Sequence, residues 1–96
     1  MTVVVTAAVI ERDGRFLVTR RLQGTHLEGM WEFPGGKCDQ GESLAACLQR
    51  EIREELGTGV VVGGEMLQST HEYVDRSVAL HFFACSSAAA IQKRTR

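Results

Sequence analysis

The chain has 96 residues, of which 44% are hydrophobic and 24% charged, the profile of one globular domain rather than a disordered or fibrous polymer. A formal net charge of -1 supplies no global field for nucleic acid or an anionic membrane, so phosphate binding has to come from local geometry or a metal ion. The apolar runs fall far short of the ~20 residues of a membrane span, and Met1 leads into a strand-like segment without a basic leader. A cytoplasmic protein with no membrane or nucleic-acid partner is expected.

In chain order, Val3 to Glu11 is β-branched and apolar, Asp13-Gly14 is a hairpin turn signal, and Arg15 to Arg21 resumes an alternating pattern. A β-hairpin opens the domain. Gln23 to Met30 has no periodicity and reads as a loop; Trp31-Glu32-Phe33 is a short strand ended by Pro34-Gly35-Gly36, and a loop from Gly35 to Gly41 follows. Ser43 to Leu56 is the one clear helix, with Gly57 placed to end it in a left-handed conformation. Its apolar stripe of Leu44, Ala45, Leu48, Ile52 and Leu56 is expected to pack on a sheet.

Val60 to Val62, Glu65 to Tyr73 and Ser77 to Cys85 read as strands separated by Gly63-Gly64 and by the Asp75-Arg76 turn. Ser86 to Arg96 reads as a short terminal helix or a frayed tail, and its basic end (Lys93, Arg94, Arg96) as a solvated terminus. Cys38, Cys47 and Cys85 are odd in number, lack C-x-x-C pairing, and have no regular spacing to His26, His71 or His81. Reduced thiols are expected, with neither a disulfide nor a zinc site.

The helix carries Glu51, Glu54 and Glu55 at i, i+3 and i+4, so three carboxylates converge on a patch one turn long. Each like-charge pair costs an exposed helix a few tenths of a kcal/mol, about what one favourable pair contributes. A bound Mg²⁺ removes that objection, because it takes hard carboxylate oxygens and completes its octahedron with waters and substrate phosphates. Immediately upstream, Phe33-Pro34-Gly35-Gly36-Lys37 forms a bare backbone turn through which carbonyls and amides approach an ion or phosphate without side-chain obstruction.

Taken together the stretch fits G-x5-E-x7-R-E-U-x-E-E-x-G-U, with U a bulky aliphatic residue: Gly36, Glu42, Arg50, Glu51, Ile52, Glu54, Glu55 and Gly57, departing only at Thr58. Chance agreement at the seven invariant positions is on the order of 10⁻⁷ over a chain of this length at average residue usage. The pattern is the Nudix box, here residues 36–58, and the chain resembles the MutT-like branch of that family from Val3 to Cys85. The resemblance implies a single domain over residues 1–96, of α/β (α+β) class: a mixed sheet with the box helix on one face and the C-terminal helix shortened or missing.

By the same resemblance Glu51, Glu54 and Glu55 hold Mg²⁺, or Mn²⁺ in its place, with help from the carbonyl of Gly35 or Gly36. Arg50 positions a helix carboxylate, Glu42 supports the start of the box helix, and Glu54 is the candidate base. Arg21 falls where MutT-type enzymes set an arginine against substrate phosphate, and Lys37, close by with His26, is expected to bind substrate with it. The implied reaction is attack of water at phosphorus in a nucleoside triphosphate or a related nucleoside diphosphate derivative. For a triphosphate the products are a nucleoside monophosphate and pyrophosphate. Oxidised purine triphosphates such as 8-oxo-dGTP and pyrimidines such as CTP are the substrate alternatives.

Family members continue past the position of Cys85 into a further strand, a loop bearing a catalytic glutamate or a base-reading residue, and a second long helix. Ser86 to Arg96 does not resemble that region and contains no acidic residue. Exposed apolar sheet surface, and hence a homodimer, is the expectation. The alternative to an enzyme is a folded nucleotide-binding or interaction module of weak or no activity.

Overall fold

Alternation along the first strand decides which side of the sheet the helix covers. In a computed structural model, which describes residues 1–21, 23–24 and 29–87, the β-branched opening segment forms β1 (Thr2–Arg12). Asp13 and Gly14 both take positive φ, 54° and 77°, and this tight turn returns the chain as β2 (Arg15–Phe16). The hairpin strand expected over Arg15–Arg21 is divided. Leu17 turns its side chain into the core while its N–H still reaches Ile10 O at 3.0 Å. Beyond it the chain leaves β1, and β3 (Thr19–Arg20) pairs with β4 (Trp31–Glu32) in a separate two-stranded ladder.

β5 (Gly35–Lys37) corrects the expectation of a loop from Gly35 to Gly41. It pairs antiparallel with β1 in the register Val5↔Lys37, Thr6↔Gly36 and Ala7↔Gly35. Two glycines carry little strand propensity, but the open edge of β1 supplies ladder partners that need only backbone. α1 (Leu44–Leu56) follows, then β6 (Val60–Glu72) and β7 (Ser77–Ser87). The two strands expected within Val60–Tyr73 are one. Gly63-Gly64 lies in a bulge, with register shifts between Val62 and Glu65 and between Glu65 and Leu67, rather than in a turn. A side chain on Gly63 would come within 2.7 Å of Ala84 O, so the bulge requires glycine there.

The main sheet runs β2-β1-β7-β6, with β5 also on β1. β1 and β7 are parallel and the other pairs antiparallel. This is the expected mixed sheet with the box helix on one face. Thr6, Ala8 and Ile10 point to the helix, and the register Ala8↔Phe83 brings Phe83 to the same face. From α1 the buried residues are Cys47, Leu48, Ile52 and Leu56. Leu44 packs at the margin of this core, whereas Ala45, expected in the stripe, is exposed and Cys47 takes its place. Among the described residues no helix is long and apolar enough to cross a membrane. His26 and the basic end of the 86–96 tail lie outside the described residues.

Because Leu48 and Ile52 are 0% exposed, Ile52→Ala removes buried methyl groups with little room for collapse. It is expected to lower the unfolding free energy by about 3 kcal/mol, read as a drop in the urea midpoint with unchanged slope. Ala45→Ser on the exposed face is expected to stay within about 0.5 kcal/mol of wild type.

Candidate metal and phosphate site

Capping fixes where the acidic helix begins and ends, and with it the rotational position of its carboxylates. Ser43 is the N-cap, its hydroxyl accepting the Ala46 N–H at 3.1 Å, and Gly57 ends the helix in the left-handed region at φ 73°, donating its N–H to Arg53 O. Just upstream, Glu42 folds back so that Oε1 accepts the Asp39 N–H at 2.9 Å.

Arg50 ties the cluster together. Nε donates to Glu42 Oε2 at 2.7 Å and Nη2 to Glu42 Oε1 at 3.0 Å, a bidentate pair. Nη1 donates to Glu51 Oε2 at 2.9 Å and lies 3.3 Å from both oxygens of Glu54, while Nη2 also reaches Lys37 O at 3.1 Å. These bonds to the Arg50 guanidinium, with the Asp39 N–H, hold the Glu42 carboxyl down at about 2. The same partners push the Arg50 pKa up, Glu42 most of all.

The glycine corner meets the helix at Glu51 and Glu55. A Cβ on Gly36 would run into the Glu51 carboxylate, so the strand approaches that closely only because the side chain is missing. Gly35 sits at φ 154°, and a Cβ there would overlap the Thr6 carbonyl. Its N–H donates to Glu55 Oε1 at 3.2 Å, and the Thr19 hydroxyl donates to Glu55 Oε2 at 3.1 Å. Burial raises the Glu55 pKa. The Gly35 and Thr19 hydrogen bonds oppose that rise, and the charges of Glu32 and Glu51 add to it.

The two glycine carbonyls differ in availability. Ala8 N–H donates to Pro34 O and Cys38 N–H to Val4 O, both at 2.8 Å, so the Thr6–Gly36 pair between them is the hydrogen-bonded one in the ladder. Gly36 O also has the Thr6 hydroxyl at 3.5 Å. Gly35 belongs to the alternate pair, whose polar groups face away from β1 and, as its N–H shows, toward the carboxylates. Hard oxygens of the kind a divalent cation takes line this corner at Glu51, Glu55 and the more exposed Glu54 beside the Gly35-Gly36 backbone, but among the described residues these three carboxylates are not drawn into one tight cluster as the ligand atoms of Cys38, Glu42 and Cys47 are.

Arg21 borders the same corner. With Glu32, Phe33, Gly36, Leu80 and Phe82 it lines a concavity of about 360 Å³. Its Nη1 lies 3.5 Å from Glu32 Oε2. Phe33 and Phe82 meet edge to face at 6.3 Å, giving the concavity aromatic walls. Arg20 turns elsewhere, its guanidinium 5.3 Å over the Trp31 ring. Lys37 is not brought to that concavity; it lines a separate one of about 470 Å³ with Met1, Cys38, Asp39 and Glu42.

Three participants escaped the sequence reading. Thr19 and Glu32 sit across from one another in the β3–β4 ladder, and nothing local in the sequence announces that pairing. The third overturns an expectation: Cys38 and Cys47 are joined as a disulfide, with Cα atoms 5.2 Å apart, and are not reduced thiols. A spacing of nine is no recognised pattern, but the reversal of the chain between β5 and α1 brings the two positions together. Cys38, Glu42 and Cys47 offer ligand atoms within 4.8 Å of one another. In this state they are no cation site, because the sulfurs are bonded to each other and both Glu42 oxygens are taken by Arg50.

The sequence pattern of the NUDIX domain matches residues 1–95. The chain belongs to the Nudix family. It is 43% identical over 77 residues to a CTP pyrophosphohydrolase of Escherichia coli K12, a match covering 80% of this chain and 57% of that one. It is 30% identical over 80 residues to an 8-oxo-dGTP diphosphatase of Proteus vulgaris, covering 83% and 71%. The chain therefore spans little more than half the length of the E. coli relative. Among solved structures it is similar to the E. coli ORF135 protein, with a TM-score of 0.84, 36% identity, and 98% of this chain and 68% of that one covered. It is also similar to a MutT Nudix hydrolase of Burkholderia pseudomallei, with a TM-score of 0.85, 26% identity, and 100% and 75% covered.

Glu42 gives this Nudix domain a measurable acid response. Its folded pKa, about 2, lies below its ordinary 4.5, so its charge stabilises the fold above about pH 4.5, and that stabilisation is lost as pH falls toward 2. Thermal midpoints measured from pH 6 to pH 2 are expected to fall less steeply below pH 4.5 in Glu42→Gln than in wild type. Parallel curves would remove the pair from the account.

Proposed function

We propose that this Nudix domain hydrolyses a nucleoside triphosphate to the monophosphate and pyrophosphate. The observation that carries the proposal is the meeting of Glu51 and Glu55 with the bare Gly35-Gly36 backbone beside a concavity bordered by Arg21. A domain without metal chemistry gains nothing from carboxylates placed to repel one another. When bound, a divalent cation such as Mg²⁺ supplies charge neutralisation of the triphosphate and lowers the pKa of a coordinated water.

The protein's own groups supply binding and position. The Arg21 guanidinium presents a fork to phosphate oxygens, and Phe33 and Phe82 offer apolar surface to a base. Arg50 holds Glu51 and Glu54 in place against their mutual repulsion, with Glu42 fixing the arginine in turn. Glu54 is the most exposed of the glutamates that Arg50 bonds and takes the proton of the attacking water. Water adds across one phosphoanhydride bond, and no covalent intermediate with the protein is needed. The names of the E. coli and Proteus relatives point to CTP and to 8-oxo-dGTP as the first substrates to try.

A panel of nucleotides with and without Mg²⁺ tests the proposal. Pyrophosphate release is expected only with Mg²⁺, and Glu54→Gln is expected to lower kcat by about 10²-fold or more, the usual range for a lost general base. A second reading, a binding module without turnover, is favoured by the closeness of Arg50 to both Glu54 oxygens, which engages the atoms a base would turn to water. Nucleotide binding with no release of pyrophosphate or phosphate would establish it.

The homodimer is also proposed, supported by exposed apolar side chains on β6 and its following turn: Met66 at 58%, Leu67 at 59% and Val74 at 108%. Light scattering in dilute solution is expected to give twice the 10.6 kDa of the chain. A mass of one chain would remove the dimer.

A further inference from the structure

We infer that Cys38 and Cys47 form a thiol–disulfide control on the metal corner, with Cys38 the sulfur through which a small thiol or disulfide acts. The inference rests on reading Gly35, Gly36 and the helix glutamates as a metal site. The bond joins residues nine apart, from the position after β5 to the first turns of α1. Cys38 lies two residues beyond Gly36, and Cys47 lies four residues, about one turn, before Glu51. It therefore spans the gap that Arg50 spans non-covalently through Lys37 O and Glu42. The loop is thus tied to the helix both electrostatically, through Arg50, and covalently.

The sulfur of Cys47 sits inside the corner itself, 3.3 Å from Thr6 Oγ1 and 3.8 Å from Gly36 O. In the disulfide it has no proton, so of the two side chains only the Thr6 hydroxyl can donate. On reduction Cys47 gains an S–H beside Gly36 O, and the loop between β5 and α1 keeps only non-covalent ties: the Arg50 bonds to Glu42 and Lys37 O, the Asp39 N–H to Glu42 and the Cys38 N–H to Val4 O.

Burial decides the order of exchange. Cys47 is 0% exposed, whereas Cys38 is half-buried and lines the concavity of about 470 Å³ that opens to solvent beside Met1 and Glu42. In the reduced protein the Cys38 thiolate attacks one sulfur of a small disulfide RSSR, forming a Cys38–SR bond and releasing RS⁻, which takes up a proton. The Cys47 sulfur then attacks the Cys38 sulfur, forming the Cys38–Cys47 bond and expelling the second RSH. Two protein thiols are oxidised by two electrons, and RSSR is reduced to two RSH. Reduction reverses these steps, with an external thiolate entering at Cys38. Cys85, half-buried on β7, takes no part.

The test uses the full chain prepared with hydroxyethyl disulfide or with a phosphine reductant. Alkylation under unfolding conditions, followed by peptide mass analysis, is expected to label only Cys85 in the first preparation and all three cysteines in the second. Mn²⁺ titration followed by electron paramagnetic resonance is expected to show about tenfold weaker binding after reduction, the usual effect of losing a support behind metal ligands. Cys38→Ser, which leaves the buried Cys47 in place, is expected to bind Mn²⁺ like the reduced protein in either preparation. Circular dichroism confirms that each form is folded. Equal Mn²⁺ affinity in both wild-type preparations overturns the redox inference and leaves the metal site standing. No Mn²⁺ binding in either overturns the metal site and the inference with it.

Discussion

One guanidinium makes this arrangement of glutamates tolerable. Arg50 bonds Glu42, Glu51 and Glu54 at once and reaches the Lys37 carbonyl, so it neutralises part of a cluster that would otherwise repel itself and joins the helix to the loop before it. The position is strict. Residue 50 lies on the helix between the core positions Leu48 and Ile52 and next to Glu51, and a shift of one residue would turn its fork away from Glu42. Lysine would not replace it, since a single ammonium lacks the planar set of donors that serves several carboxylates and a carbonyl together.

The counterpart on the sheet side is missing bulk. Gly36 allows the Glu51 carboxylate to lie against the strand, and Gly35 allows the strand to lie against Thr6. Ladder pairing consumes the polar groups of Gly36 and leaves the Gly35 N–H to bond Glu55. The corner is thus assembled by three things: the β1 edge that recruits β5, the Ser43 cap that fixes the helix start, and the core face of α1 that sets its rotation. The concavity beside it takes Glu32 from the small β3–β4 ladder and Arg21 from the residue after β3, which sets a guanidinium and aromatic walls next to the glycine corner.

What was legible in the sequence follows from how local each signal is. The helix and its Ser43 and Gly57 ends are written in consecutive residues, and they stand where the periodicity puts them. The strands were legible where β-branched or other apolar residues run together between turn signals, as in β1 and β7. Elements that depend on a distant partner were not. Gly35–Lys37 is a strand because β1 has a free edge, Gly63-Gly64 is a bulge because β7 continues past it, and Thr19 bonds Glu55 because β3 turns away from β2. The disulfide belongs with these: Cys47 occupies the core position that a simple stripe gave to Ala45, and only the fold shows that it faces Cys38.

The central proposal is a cation held at the Gly35-Gly36 corner beside Glu51 and Glu55. Crystals of the protein soaked in MnCl₂ with a non-hydrolysable nucleotide test it directly, by anomalous scattering at the manganese edge. The account predicts an anomalous peak bonded to a glycine carbonyl of that corner and to carboxylate oxygens of the helix. A peak elsewhere on the surface, or none at that corner with the nucleotide bound, would contradict it.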